Sequence, residues 1–277
     1  MAGKKKDTSL LHHLIGSRSL VWNLAKNDIK KKFAGSYFGV VWAFVQPVIT
    51  VLLYWFVFEK GLNSKATDLR TGIEIPFVLW LTAGLVPWFY FQEALNGGTG
   101  VLVEYSYLVK KVVFQIDMLP VVKMISALFT HLFFVAFTIV LFICMGYMPD
   151  WYALQVVYYS FCMILFATGL VYATSAVTVF FRDMKEVVGI LLQIGMWVTP
   201  IMWNFETMVQ IPGWAITVLK LNPMYYIVLG YRNALINHIG FWEDMGLTVY
   251  FWVVTAVILF LGTTVFKRLR PHFADVL

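Results

Sequence analysis

Long uncharged apolar runs, separated by short polar stretches, dominate this chain. Runs free of Asp, Glu, Lys and Arg cover 33–58, 75–92, 124–148, 151–181, 187–205 and 245–266. A helix needs about 20 apolar residues to cross the hydrocarbon of a bilayer. The pattern therefore predicts six transmembrane helices, over 37–58, 75–95, 122–146, 151–181, 187–205 and 245–266. Ahead of the first, Leu20, Val21, Leu24, Ala25, Ile29 and Phe33 recur at helical spacing. Asn23, Lys26, Asn27, Lys30 and Lys31 fall on the other side, and Trp22 suits headgroup depth. That predicts an amphipathic interface helix over 17–33. A short helix is expected over 100–114, between the second and third spans. The stretch 206–240 has two apolar pieces interrupted by Pro212, Gly213 and Pro223, too short to cross. It reads as re-entrant short helices shielded by protein, since irregular backbone survives at membrane depth only when buried or lining a cavity. The fold class expected is all-α, a polytopic membrane protein forming one domain over 1–277.

Composition agrees. The chain is 60% hydrophobic, 18% aromatic and 13% charged, with a mean hydropathy of +0.76, and lacks the polar surface a soluble globule of this size needs. With six spans and an internal amino terminus, sixteen of the 21 lysines and arginines fall on one side. Both termini are then expected to be cytoplasmic. The net charge of +6 reflects this topology and contact with anionic membrane lipids, and no nucleic-acid partner is expected. The lysine-bearing amino-terminal segment has no compact apolar core before a small-residue cleavage site, so no removable signal peptide is expected. Cys144 and Cys162 both lie inside predicted spans and read as buried small apolar side chains.

Candidate chemistry is sparse. No Asp, Glu, Lys or Arg lies within a span core, and His131 is the one imidazole there, which reads as a helix-packing hydrogen bonder. Ion channels and ion-coupled carriers generally need such groups. The adjacent His12 and His13 have no acid or cysteine at ligand spacing, so no metal site is expected. There is no H-E-x-x-H and no G-x-S-x-G. The glycine-rich run at 96–100 lacks the Gly-Lys-Ser/Thr ending of a phosphate-binding loop, so the chain is expected neither to be an enzyme nor to hydrolyse ATP itself. Gln46 and Pro47 sit in mid-span, where a proline bends a helix; a packing kink and a bend shaping a conduit are equally compatible. Trp80 and Trp88 read as anchors or packing residues, with sugar stacking the alternative.

An ordered set of residues then resembles a known family. Lys30, Lys31, Lys32, Phe33, Ser36, Gly39, Trp42 and Pro47 look like the opening signature of ABC-2 type permeases that export bacterial polysaccharides. Ala83, Gly84, Pro87 and Trp88; Phe181, Arg182 and Asp183; Thr199, Pro200 and Ile201; and Asn222, Pro223 and Arg232 follow in order. The stretch 54–58 with Ile75, Pro76 and Phe77 is most similar to the wall teichoic acid branch, O-antigen and capsule exporters being the others. Phe114 is followed by Gln115 where the family often has an aromatic–proline pair.

The resemblance implies a half-transporter in the bacterial plasma membrane, working as two copies with two ATP-binding subunits that carry Mg-ATP, and exporting a polymer linked to undecaprenyl diphosphate. It implies a coupling helix over 100–114, with Glu104, Tyr105, Leu108, Lys110 and Lys111 facing the ATPase, and outer gate helices over 206–240. Lys30, Lys31, Lys32 and Arg182 would receive the diphosphate, and Tyr37, Phe38, Trp42, Trp80, Trp88 and Trp197 are candidates for the glycan path. Positive-inside topology alone also explains the lysines. An ion-coupled secondary carrier and a non-transporting scaffold of cell-envelope assembly are the readings from other classes.

Overall fold

The computed structural model describes residues 18–32, 34–110, 115–203 and 212–277. Expectations that fall on His12, His13, Phe33, Lys111, Phe114 and 204–211 lie outside the described residues. The fold is helical apart from one two-stranded hairpin, β1 (Ala66–Thr67) with β2 (Glu74–Ile75). Helix α1 (Arg18–Lys32) is followed by a reversal in which Gly35 and Gly39 take φ of +83° and +52°, a region glycine enters without steric cost. A 3-10 turn at Gly39–Val41 then leads into α2 (Trp42–Trp55), extended by a π-helical turn at Phe56–Gly61. After the hairpin come α3 (Phe77–Thr99), the one-turn helices α4 (Val101–Glu104) and α5 (Ser106–Val109), and α6 (Met118–Cys144). The rest comprises α7 (Gln155–Phe180), α8 (Met184–Val198), α9 (Gly213–Lys220), α10 (Pro223–Arg232) with a π-helical turn at Asn233–Asn237, α11 (Met245–Leu269) and α12 (Phe273–Val276).

Helix α3 is the centre. Eighteen of its 23 residues are buried, and it packs against α6, α7, α8 and α10. The buried part is its apolar and aromatic surface, from Phe77 to Trp88 without a break, while its polar residues Gln92 and Asn96 lie on the face that stays open. By contrast α2 buries Val51 alone and α8 only Val188 and Leu192, leaving apolar faces for lipid or another chain. Segments 42–61, 118–144, 151–180 and 245–276 are long and apolar enough to cross a membrane. The other two expected spans differ from these. Helix α3 is long but enclosed by protein, and α8 stops after 15 residues, about 22 Å at 1.5 Å per residue, short of a hydrocarbon core of ~30 Å. Pro200 causes the stop: it forces Thr199 out of the helical region, to φ −79° and ψ 125°.

Contacts define two ends. At one, the ends of α1, α3 and α6 meet through Lys32 with Glu93 and Lys123 with Asp28, and Arg270 reaches Asp117 at 2.6 Å. At the other, the backbone of Leu69 donates to Asn237, His238 meets Asp150 at 2.7 Å, and Phe241 donates to Gln155. Helix α10 starts beside Thr199, whose hydroxyl accepts from Asn222 at 2.7 Å, and rises to that second end. The helices after α8 are thus short, of eight and ten residues, and the second of them begins partway through the molecule and ends at its second end.

Helices α7 and α11 make the tightest crossing. A Cβ on Gly262 would strike the Gly169 carbonyl oxygen, and one on Gly169 would lie 2.8 Å from the backbone between Ile258 and Leu259. Gly262→Ala is expected to cost about 1–3 kcal/mol as an overpacked contact. Thermal unfolding of the detergent-solubilised protein checks this, with Gly189→Ala, whose Cβ would meet nothing within 4 Å, as reference.

Candidate functional site

Three helix faces enclose an open cleft of about 830 Å³. On α2, Trp42, Gln46, Thr50 and Tyr54 recur every fourth residue and form one stripe into it. Phe89, Gln92, Glu93, Asn96 and Gly97 do the same on α3, and Lys123, Ser126, Ala127 and Thr130 on α6. Pro47 and Ala43 also line it. Because proline has no N–H, the Ala43 carbonyl has no i+4 helical donor and is left as an acceptor on the cleft wall. The Thr50 hydroxyl donates to the Gln46 carbonyl at 3.0 Å. The proline thus belongs to the wall of a cavity.

One part of the cleft is charged. Asp28, Lys31 and Lys32 from α1, Glu93 from α3, Glu104 from α4 and Lys123 from α6 converge there. Lys123 lies 2.6 Å from Asp28 and 2.9 Å from Glu104, and Lys32 lies 2.7 Å from Glu93. Lys31 stands 3.8 Å from Glu104. Three ammonium groups face three carboxylates, so this mouth has no net charge. Tyr105 completes it, donating its hydroxyl to Asp28 at 2.9 Å with the ammonium groups of Lys31 and Lys123 at 5.3 and 5.7 Å from its ring. Burial, then the Asp28 carboxylate, push the Tyr105 phenol well above its ordinary range, so it is a neutral donor here. The remaining lining carries no charged side chain: indole, phenol and phenyl rings alternate with amides and hydroxyls.

Of the residues singled out from sequence, Lys31, Lys32 and Trp42 line the cleft, with Glu104 and Tyr105 at its charged mouth. Phe38 stacks edge-on against Trp42 at 5.9 Å and touches Tyr37, both strongly exposed. Lys30 is exposed, and Arg182 lies in the exposed turn before α8; neither lines the cleft. Trp80 and Trp88 are core residues, 7% and 2% exposed. Trp88 abuts Gly195 of α8, and Trp197 points outward, its carbonyl accepting from Trp203. The expected 100–114 helix is broken at Tyr105, whose side chain turns inward to Asp28 and separates α4 from α5. Leu108 is half-buried, Lys110 exposed, and Lys111 lies outside the described residues.

Residues 19–236 match the family described as ABC-2 type transporter. The chain belongs to that family. It is 25% identical over 266 residues to the O-antigen export system permease protein RfbA of Myxococcus xanthus, covering 96% of this chain and 98% of that one. It is 22% identical over 258 residues to the protein of the same name from Klebsiella pneumoniae, covering 92% and 93%.

In this ABC-2 transporter chain, two features escaped the sequence reading. The uncharged polar stripes were present as pairs at helical spacing, Gln46 with Thr50 and Ser126 with Thr130 inside apolar runs and Gln92 with Asn96 at the end of one. That spacing was the available signal. The second feature is Arg232, 6% exposed, its guanidinium 3.3 Å from the centre of the Trp80 ring. It donates to the carbonyls of Pro200 and Ile201, both at 2.7 Å, and of Trp80 at 3.4 Å. Gly84 leaves room for it: a Cβ there would lie 2.8 Å from a guanidinium nitrogen. Arg232 therefore ties α10 to α3 and to the carbonyls beyond α8. His131 is a packing hydrogen bonder, with Nε2 3.1 Å from the Tyr231 hydroxyl and 3.2 Å from the Ser160 hydroxyl. Both cysteines are free thiols; Cys162 is buried as expected, whereas Cys144, at the last residue of α6, is exposed. Among the described residues no His, Cys, Asp and Glu group could hold a metal ion.

Lys123→Met leaves the buried Asp28 carboxylate without its cation, at up to about 3–5 kcal/mol, while Asp28→Asn costs less because Lys123 keeps Glu104 at 2.9 Å. Asp28→Asn and Lys123→Met are each expected to lower the unfolding temperature, and the double variant to recover part of the loss, as a double-mutant cycle in detergent measures. Arg232→Lys keeps charge but loses the planar fork that reaches two carbonyls and stacks on Trp80. It is expected to increase proteolysis between α8 and α10 while leaving the α1 end protected, as limited digestion shows.

Proposed function

We propose that this chain is the transmembrane subunit of an ATP-driven exporter of lipid-linked polysaccharide, and that the cleft receives the lipid diphosphate together with its first sugars. The observation that carries this reading is the division of one cleft into a charged mouth and an uncharged lining of rings and amides. Ammonium groups bind diphosphate oxygens through charge-assisted hydrogen bonds. Aromatic faces and neutral amides and hydroxyls suit a sugar, which offers both C–H faces and hydroxyl groups. The names of the relatives, O-antigen export permeases, support polysaccharide as the cargo.

In this reading Lys31 and Lys32 receive the diphosphate, with Lys30 and Arg182 drawing it from the inner leaflet. Trp42, with Phe38 and Tyr37 leading to it, begins the glycan path. The ATP-binding subunits dock on the 100–110 segment, where Tyr107 and Lys110 are exposed. Two copies complete the channel through the exposed faces of α2 and α8, with both termini cytoplasmic in the bacterial plasma membrane and the re-entrant helices as outer gate. Beyond its mouth the cleft offers no cation, which favours an uncharged glycan of O-antigen type over the phosphate-rich chain of wall teichoic acid. That teichoic acid preference rests on the resemblance of 54–58 and 75–77 alone.

The test is purification with the cognate ATPase, reconstitution in proteoliposomes, and ATP hydrolysis titrated with undecaprenyl-diphosphate-linked O-antigen or teichoic acid. Neutralising Lys30, Lys31 and Lys32 to Gln is expected to raise the half-maximal concentration about tenfold, the scale of one lost hydrogen bond to a charged group. Wild-type stimulation in that variant removes the diphosphate role. Stimulation by teichoic acid alone reverses the polymer assignment, and transport driven by an ion gradient without ATPase rejects the exporter reading.

A further inference from the structure

The lysines that face the cleft are not idle cations: each already has a carboxylate, and the two kinds of pair differ in exposure. Asp28 and Lys123 have side chains 7% and 13% exposed at 2.6 Å, a fixed and largely buried pair. The pairs on α1 are open. Lys32 and Glu93 are 50% and 26% exposed, and Lys31 and Glu104 are 60% and 37% exposed. Water-accessible pairs contribute little and exchange partners readily. Glu104 is also shared, at 2.9 Å from Lys123 and the longer 3.8 Å from Lys31, so it keeps a cation when Lys31 leaves it.

Resting on the diphosphate reading above, we propose that Glu93 and Glu104 are built-in counter-ions which the lipid diphosphate displaces from Lys32 and Lys31. Electrostatics requires a displacement of this kind, because a dianion entering a mouth of zero net charge meets three carboxylates as well as three ammonium groups. The diphosphate oxygens take the two exposed lysines, Glu93 turns to water, and Glu104 is left with Lys123 alone. Glu104 belongs to α4, in the segment between α3 and α6 that also exposes Tyr107 and Lys110. Release of its contact with α1 therefore changes how that segment is held, so occupation of the cleft is reported at the surface offered to the motor. The same counter-ions screen the lysines from monoanionic bulk lipid, which brings too little charge to win the exchange.

The experiment uses the chain with its ATPase subunits in nanodiscs of zwitterionic lipid, titrated with undecaprenyl diphosphate, with undecaprenyl monophosphate and phosphatidylglycerol as separate arms. Glu93→Gln and Glu104→Gln are each expected to lower the half-maximal concentration of undecaprenyl diphosphate for ATPase stimulation by roughly two- to fivefold, the range spanned by an exposed ion pair. They should also make the response to phosphatidylglycerol stronger than in wild type. Glu104→Gln should raise the lipid-free rate, while Glu93→Asp and Glu104→Asp, which keep the carboxylate, restore wild-type midpoints. Exchange is rejected if both Gln variants need as much lipid as wild type or more. Reporting through Glu104 is rejected if its Gln variant keeps the wild-type lipid-free rate. If phosphatidylglycerol stimulates wild type as well as the diphosphate does, the screening role is rejected. A Lys31→Gln/Lys32→Gln variant that responds as wild type instead removes the diphosphate reading itself, an outcome separate from the other three.

Discussion

The contact between Lys123 and Asp28 fixes where the amino-terminal helix can lie. Neither charge can be left alone at the edge of a hydrocarbon phase, so α1 must present Asp28 to α6 wherever else its surface might go. Val21 and Ala25 then meet Met118 and Val122, and Trp22 meets Phe129. With α1 held along that line, Lys31 and Lys32 at its end face α3 and α4 across the cleft. One buried pair thus converts a generic basic interface helix into one wall of a specific cavity.

The cavity also depends on the unusual composition of α3. A helix carrying Gln92, Glu93 and Asn96 among aromatic residues cannot face lipid, and four neighbours enclose most of it. The face they leave uncovered is the polar one, and α2, with its proline and its stripe of Gln46 and Thr50, stands opposite. Enclosure by α6, α7, α8 and α10 makes α3 a rigid back wall. Helix α2, which buries only Val51, is nearly free of that core.

Much of this was legible in the sequence because bilayer constraints act on residue type alone. A helix was expected over 17–33 and is described over 18–32, and the apolar pieces broken by Pro212 and Pro223 form the short helices after α8. What failed was local. The fifth span was drawn through Pro200, although the residue before a proline resists helix, and the helix ends at Val198. The loop helix was drawn through Tyr105, because nothing in a one-dimensional pattern shows that a phenol will turn back towards an acid 77 residues earlier. The glycan candidates were chosen for being aromatic and close to span ends. Burial of Trp80 and Trp88 was decided by neighbours from α8 and α10 that only tertiary structure brings together. The cleft lining, by contrast, is written in the sequence as spaced amides and hydroxyls, residue types that also occur as ordinary packing partners between helices.

The shortness of α8 has a mechanical consequence. Its far end stops inside the protein, and the carbonyls just beyond it are held by a guanidinium that belongs to another helix and rests on a third. Such a helix cannot slide on its own. A tilt applied at Met184, where the chain emerges beside Lys185 and Gly100, is transmitted by a stiff rod to Arg232, and from there along α10 to His238 and its contacts at the opposite end. The 15 residues of α8 thus join the turn at Met184, through Arg232 and α10, to the contacts at the opposite end in one continuous set of side-chain and backbone links.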